Sequence, residues 1–332
     1  MDKRILAGLS IAFGIALLLL VLHFTGIDDV TKILEIFSFY KFLLVFGFFF
    51  IIWLIILARW GIVLNAVGNH VPFSKLLPLR LCEFAVGYIT PFSRLGGEPI
   101  LAYLFKKECG ISYKDSMTAI IANKALDFIS GIIFASSGIA LFIAFYGSKL
   151  PNRAIIIMIT FMLILSGACY LFYKKINKKE GFFSVIIRPF KGIIHENIHK
   201  GIAEVESGLH NLIKRHKIGL VNTLWISLII QLLIIANYKI IGLFLGLNLS
   251  FINLLIIFSF INLSFIIPIP GSLGSMEAAS ALVFLILGYS AGLGVAFALI
   301  LRTFELTITG IGLIFSAYYG VKLKGINRNN QK

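Results

Sequence analysis

Charged residues are scarce in this chain, and their scarcity excludes an ordinary soluble domain. Only 14% of the 332 residues are Asp, Glu, Lys or Arg, whereas 59% are hydrophobic. Soluble domains carry charge on about a quarter of their residues, because their surface faces water. We therefore expect lipid to surround most of this chain.

Cysteine is also rare, and acids are fewer than bases. The three cysteines, Cys82, Cys109 and Cys169, form no CxxC pair and no regular spacing, which argues against a disulfide framework or a cysteine metal site. Acidic residues number 15 against 30 basic ones, giving a formal net charge of +15. In a membrane protein such an excess is typical of cytoplasmic loops, so we expect no nucleic-acid partner.

Long apolar stretches predict membrane-spanning helices. A helix needs roughly 20 apolar residues to cross the hydrocarbon layer, and a backbone in lipid must satisfy its own hydrogen bonds. The first stretch follows Lys3 and Arg4 without a small-residue cleavage site, so we expect it to remain as a span. The predicted spans are residues 5–24, 42–60, 116–147, 153–173, 218–247 and 292–321.

The charges between these spans predict their orientation. Residues 174–217 hold ten Lys and Arg against four Glu, and residues 322–332 hold four Lys and Arg without an acid. Both segments belong in the cytoplasm by the positive-inside rule, and six crossings place both termini in the cytoplasm as well. We expect the protein to lie in the cell membrane. The net negative stretch 28–35 fits the outside. Three bases fit the inner boundary: Arg59, Lys75 and Arg80.

Two further apolar segments, residues 81–105 and 251–288, have to return to the side from which they came. Each is flanked on both ends by sequence that the crossing count places on one side. Each also holds a turn rich in Pro and Gly, TPFSRLGGEP and PIPGSLGSME. Proline interrupts a helix and glycine relaxes the backbone, so we predict two re-entrant helical hairpins. The predicted break residues are Pro91, Gly96, Gly97, Pro268, Pro270, Gly271 and Gly274.

The two halves of the chain space their charged residues alike. Pro91 precedes Glu98 by seven residues, and Pro270 precedes Glu277 by seven. Each acid is followed by an apolar helix with a basic-x-x-acidic pair, whose members share one helix face. These pairs are Lys124 with Asp127 and Arg302 with Glu305. Matching spans run in opposite directions, so the sequence predicts an inverted repeat.

The predicted fold is an all-α, polytopic membrane helical bundle of six crossings and two re-entrant hairpins, with residues 1–332 as a single integral membrane domain. Its first half covers about residues 42–147 and its second half about 218–321. The segment 174–217 between them repeats apolar residues at three- or four-residue steps. We expect an amphipathic cytoplasmic helix on the membrane surface, kinked at Pro189 near its start and at Gly192, Gly201 and Gly208 within it.

Ionisable residues within apolar sequence are the candidate functional residues. Each costs about 2.5–3.5 kcal/mol on insertion scales, so several together favour a polar pathway. Three bases are expected to attract a phosphate group: Arg94, Lys124 and Arg302. Four acids would balance these bases or receive a cationic headgroup: Glu98, Asp127, Glu277 and Glu305. The alternative, that the pairs only neutralise one another and hold helices together, stays open.

The segments ITPFSRLGGEPILAYLF and PIPGSLGSMEAA resemble the signature segments of the transmembrane domain of lysylphosphatidylglycerol synthases. The resemblance covers about residues 5–320 and implies a role like that of a lipid flippase. In the bifunctional relatives, this domain is thought to move an aminoacylated lipid that a soluble domain produces. We expect no such soluble domain after Lys324, so the resemblance leaves the lipid open. The motif residues carried over are Arg94, Gly96, Gly97, Glu98, Pro268, Pro270, Gly271, Gly274 and Glu277, while Ser272 stands where relatives often have glycine.

The sequence therefore predicts a non-enzymatic translocator of lipids with anionic or amphoteric headgroups, with no cofactor and no metal. A homo-oligomer and a separate lipid-modifying enzyme stay open as partners. Three other functions also stay open: a scaffold that transports nothing, a lipid-modifying enzyme that uses the interior acids, and a zinc protease. The protease rests on the HExxH pattern from His195 to His199, which lies in the Lys-rich segment.

Overall fold

The computed structural model describes residues 3–90, 96–149, 151–187 and 196–329. Within these ranges the chain is helical and contains no strand, which confirms the all-α prediction. Two short 3₁₀ turns, Gly147–Lys149 and Pro270–Ser272, accompany the α-helices. The α-helices are α1 (Lys3–Thr25), α2 (Ile27–Glu35), α3 (Phe39–Ala66), α4 (Phe73–Ile89), α5 (Glu98–Cys109), α6 (Tyr113–Tyr146), α7 (Asn152–Asn177), α8 (Phe183–Ile187), α9 (Glu196–Arg215), α10 (Lys217–Phe244), α11 (Phe251–Ser264), α12 (Ser275–Ile286) and α13 (Ala291–Asn329).

The six predicted spans all coincide with helices. Five of these helices are long and apolar enough to cross a membrane: α3, α6, α7, α10 and α13. The remaining span lies in α1, which joins α2 through a bend of 85°. Gly26 forms this bend with a φ of 81°, a conformation that favours glycine. The protein is therefore an integral membrane protein with five or six apolar spanning helices among its described residues.

Residues 27–35, which we predicted only as a link between spans, form the helix α2. Asp28 and Asp29 lie in its first turn, where the positive end of the helix dipole favours acids. Val30 belongs to a buried apolar cluster with residues of α1, α12 and α13. The local signal was present, since Ile27, Val30, Ile33 and Leu34 recur at three- and four-residue steps. Tertiary packing nevertheless supplies most of the stability of so short a helix.

Two of the bases that we assigned to the inner boundary are buried within the protein. Arg59 has no exposed surface and sits within α3, which continues to Ala66. Arg80 is buried within α4 and forms an ion pair with Glu83. Lys75 is exposed near the start of α4 and still fits a boundary. Burial with an acid partner was not predicted for Arg59 and Arg80, and the side of the membrane on which they lie stays a prediction.

The described part of the segment 174–217 after residue 195 forms α9, whose apolar face packs on protein. This helix contacts α6, α7 and α8, and it buries Val205, Leu209 and Leu212. Our expectation that this face lies on the membrane surface needs that correction. The helix also runs unbroken through Gly201 and Gly208, while Pro189 and Gly192 lie outside the described residues. At Gly208 a Cβ atom would lie 2.4 Å from Thr118 Oγ1, so glycine permits close packing here.

The chain divides into two compact units, each built from separate segments. Unit 1 comprises Met1–Phe50, Ser74–Leu101 and Ile235–Lys332. Unit 2 comprises Ile51–Phe73 and Ala102–Ile234. Helices α3, α5 and α10 pass from one unit into the other. These boundaries differ from those of the two predicted halves, and the inverted repeat stays a prediction.

Candidate functional site

The second predicted break is a tight turn between α11 and α12, which pack against each other. Gly271 and Gly274 adopt φ values of 56° and 79°, in the left-handed region that favours glycine. Ser272 adopts a φ of 52°, which agrees with the glycine that resembling sequences often carry there. The helical structure is interrupted between α11 and α12 at this motif, whereas its entry into the membrane as a hairpin stays a prediction.

Glu277 and Arg302 form a closed ion pair beside this turn. Glu277 has no exposed surface, and its Oε2 atom accepts a hydrogen bond from the Gly274 N–H at 2.9 Å. Arg302 donates from Nε to Glu277 Oε1 at 2.5 Å and from Nη2 to Oε2 at 3.0 Å. This bidentate geometry gives an Arg–carboxylate pair both strength and orientation.

The other donors of Arg302 hold the turn itself. Nη1 donates to the Gly271 carbonyl at 2.9 Å, and Nη2 donates to the Ser272 carbonyl at 3.1 Å. Nη1 also donates to Tyr88 Oη at 2.9 Å. Arg302 thus makes five hydrogen bonds, as many as it has N–H groups. Its hydrogen-bonded acid is Glu277, 25 residues away, and Glu305 lies half-buried one turn further along α13.

Tyr88 brings the two predicted breaks together within unit 1. It lies near the end of α4, three residues before Pro91. A Cβ atom on Gly271 would lie 2.7 Å from the Tyr88 ring, so the second break packs directly on this side chain. Pro91 and Arg94 lie outside the described residues. The helix that leads into the first break therefore adjoins the second break.

The first break separates α4 from α5 and carries a buried acid. Glu98 is the first residue of α5, and only 8% of its surface is exposed. A Cβ atom on Gly97 would lie 2.1 Å from the Glu83 carbonyl oxygen, and one on Gly96 would lie 2.0 Å from Thr90 Oγ1. Close approach to α4 thus explains Gly97, and close approach to Thr90, the residue after α4, explains Gly96.

The buried pair Arg80–Glu83 adds a charge cluster beside this break that we did not identify from the sequence. The signal was present, since the two residues show the same basic-x-x-acidic spacing as the predicted pairs. We had assigned Arg80 to a boundary instead. Tyr88 was also missed, and no local pattern marks it.

Lys124 and Asp127 lie on α6 in unit 2, where Asp127 pairs with a partner that we did not predict. Arg59 of α3 donates from Nη1 to Asp127 Oδ1 at 2.6 Å and to Ser227 Oγ of α10 at 2.8 Å. Gln231 of α10 donates to Ser130 Oγ of α6 at 3.1 Å. Such interhelical hydrogen bonds contribute about 0.6–2 kcal/mol each in a membrane. These contacts tie α3, α6 and α10 together.

The HExxH pattern lies only partly within the described residues. His199 belongs to α9, whereas His195 lies outside the described residues. Among the residues that the structure describes, no group of three or more His, Cys, Asp or Glu is placed to hold a metal ion.

Known proteins similar to this chain are membrane proteins. The family described as the lysylphosphatidylglycerol synthase TM region matches residues 5–312. Two UPF0104 membrane proteins of Methanothermobacter thermautotrophicus are 25% and 26% identical to it, over 82% and 90% of this chain and 83% and 89% of their own lengths. A UPF0104 membrane protein of Pyrococcus horikoshii is 26% identical over 87% of this chain and 89% of its own. No solved structure matches the chain. Since the family match includes both break motifs and nearly the whole chain, the protein belongs to the family of the lysylphosphatidylglycerol synthase transmembrane region.

Proposed function

We propose that this protein moves a lipid with a charged headgroup between the two leaflets of the cell membrane. The observation that carries the proposal is the junction of the two breaks in unit 1, where Tyr88 contacts both Gly271 and Arg302. Glu98 is the first residue of α5 and Glu277 lies in the first turn of α12, and both are buried. Membership of the family adds support.

Interrupted helices suit this function for a physical reason. Irregular backbone at membrane depth is tolerated only where it is buried in protein or lines a water-filled cavity. A headgroup that crosses the bilayer needs polar partners along its path, because lipid tails offer none. We propose that α4 with α5 and α11 with α12 are re-entrant hairpins that supply this path, with both chain termini in the cytoplasm.

The charged residues divide into two proposed roles. Arg302 donates all five of its hydrogen bonds to Glu277, Tyr88 and the turn. We therefore propose that the pair of Arg302 and Glu277 holds the second break in shape. Glu98 stands at the start of α5, beside the first break, and we assign it to direct contact with the headgroup. Arg94 and Lys124 remain candidates for the lipid phosphate.

Reconstituted vesicles test this proposal. They would contain phosphatidylglycerol with a fluorescent group on one acyl chain, and a membrane-impermeant reductant added outside would destroy the label as it reaches the outer leaflet. We expect wild-type protein to accelerate the loss of inner-leaflet label. Glu98→Gln and Glu277→Gln, which remove charge but keep side-chain size, should slow exchange at least about tenfold, a rise of about 1.4 kcal/mol in the barrier.

Glu35→Gln is the matched control, because Glu35 is an exposed acid at the end of α2. Its exchange rate should equal that of wild type. Rates in Glu98→Gln and Glu277→Gln that match this control would refute the assigned roles. Wild-type vesicles no faster than empty ones would refute translocation and favour a scaffold. Conversion of the labelled lipid into a new species, detected by chromatography, would instead identify a lipid-modifying enzyme.

A further inference from the structure

Arg59 is an interior cation with an unusual set of partners. It lies within the apolar helix α3 in unit 2 and has no exposed surface. Its Nη1 atom donates to Asp127 Oδ1 and Ser227 Oγ. Its Nε and Nη2 atoms are buried and have no hydrogen-bond partner among the described residues. A buried donor without an acceptor costs about 1–3 kcal/mol, and more when the group is charged.

The two unpartnered atoms form the side of the guanidinium that binds oxyanions. The Nε–H and one Nη2–H point the same way, as a planar fork whose spacing matches two oxygens of a carboxylate or phosphate. Arg302 shows this use within the same protein, since its Nε and Nη2 atoms donate to the two oxygens of Glu277. In Arg59 the corresponding fork faces no acceptor of the described chain.

The two ion pairs differ in the exposed fraction of their side chains. The side chains of Arg302 and Glu277 are 7% and 0% exposed, so their pair is closed. The side chain of Asp127 is 46% exposed, whereas that of Arg59 is 0% exposed. The Arg59 pair thus reaches the surface of the described chain through Asp127, whereas the Nε and Nη2 atoms of Arg59 are buried.

We propose that the Arg59 fork is a binding site for a phosphate-type oxyanion. This inference deepens the proposed function, because it names the phosphate as the recognised group. It depends on the proposed function only in naming a lipid as the molecule that carries the phosphate. A lipid headgroup and free inorganic phosphate present the same oxygens to the fork, so the experiment separates these two sources.

Calorimetric titration of the purified full-length protein in detergent tests the site without any transport step. The probes are dioctanoyl phosphatidic acid, inorganic phosphate and dioctanoylglycerol, the last having the same chains without phosphate. Arg59→Lys keeps the charge and the contact with Asp127 but removes the fork. We expect phosphatidic acid to bind wild type at least tenfold more tightly than it binds Arg59→Lys. Arg153→Lys, which changes an exposed arginine, should bind like wild type.

The outcomes decide both the site and the source. Weaker binding of both phosphate probes in Arg59→Lys supports a site that also accepts free phosphate, and weaker binding of phosphatidic acid alone supports a lipid site. Equal binding in Arg59→Lys and Arg153→Lys overturns the proposal, as does wild-type affinity for phosphatidic acid no greater than for dioctanoylglycerol. Intact leaflet exchange together with equal binding would overturn this site alone and leave the proposed function standing.

A second comparison applies if Arg59→Lys does not fold. The double variant Arg59→Gln/Asp127→Asn removes the fork and its counter-charge together, so it leaves no unpaired buried charge. For wild type itself, phosphatidic acid should raise the unfolding temperature more than dioctanoylglycerol does, since a ligand stabilises the state that binds it. Equal unfolding temperatures with the two lipids would overturn the proposal.

Discussion

The ion pair between Glu277 and Arg302 offers a quantitative test of how the second break is held. Replacing Glu277 with alanine removes the acceptor of two Arg302 hydrogen bonds and of the Gly274 N–H. It also leaves Arg302 as a buried cation without its carboxylate. Breaking a buried pair in this way costs roughly 3–5 kcal/mol of unfolding free energy.

Two companion variants set the scale of this effect. Tyr88→Phe removes a single acceptor from Arg302, and a hydrogen bond to a charged group contributes about 1.5–3 kcal/mol. Replacing both members of the pair, as Glu277→Leu/Arg302→Met, should cost less than the sum of the two single changes, because neither charge is left alone. We therefore expect Glu277→Ala to lower the free energy of unfolding more than Tyr88→Phe does.

Equilibrium unfolding in mixed micelles, followed by tryptophan fluorescence as the share of denaturing detergent rises, measures these free energies. Glu35→Ala changes an exposed acid and should stay within about 0.5 kcal/mol of wild type. The reasoning would be refuted if Glu277→Ala were as stable as Glu35→Ala. Strict additivity in the double variant would also refute it, because contacting residues should show a coupling energy.

Three further predictions concern other positions; the first two use the same unfolding measurement, and the third uses limited proteolysis. Gly312→Ala should destabilise by about 1–3 kcal/mol, because its Cβ atom would lie 2.1 Å from the Leu81 carbonyl oxygen; the matched change Gly310→Ala, which meets nothing within 4 Å, should be neutral or slightly stabilising, and equal effects would contradict this. Ser272→Gly should preserve stability or raise it by up to about 1 kcal/mol, because the φ of 52° strains an L-residue, and a clear loss would show that the serine side chain matters. Glu206→Gln should expose α8 to proteolysis, since the carboxylate accepts hydrogen bonds from the backbone N–H groups of residues 183 and 184, and unchanged cleavage would argue against that role.

The spans and the breaks were predictable because they depend on local sequence. A run of about 20 apolar residues has few options in lipid other than a helix, and the structure has a helix at each of the six predicted spans. The second break was equally local, since its glycines occupy left-handed backbone positions that other residues avoid.

The ionic partners were harder to predict because they depend on tertiary contacts. Spacing alone suggested that Arg302 belongs with Glu305, three residues along the same helix face. The chain instead folds the turn back, so that Glu277 reaches Arg302 from 25 residues away. Arg59 likewise looked like a boundary charge, because its partner Asp127 lies 68 residues further along the chain.

The leaflet exchange rate in vesicles with increasing amounts of wild-type protein is the most direct measurement of the central claim. We expect the share of fluorescent phosphatidylglycerol reached by the external reductant to rise with the protein-to-lipid ratio until the inner leaflet is exhausted. A share that stays at the value of protein-free vesicles at every ratio would contradict it.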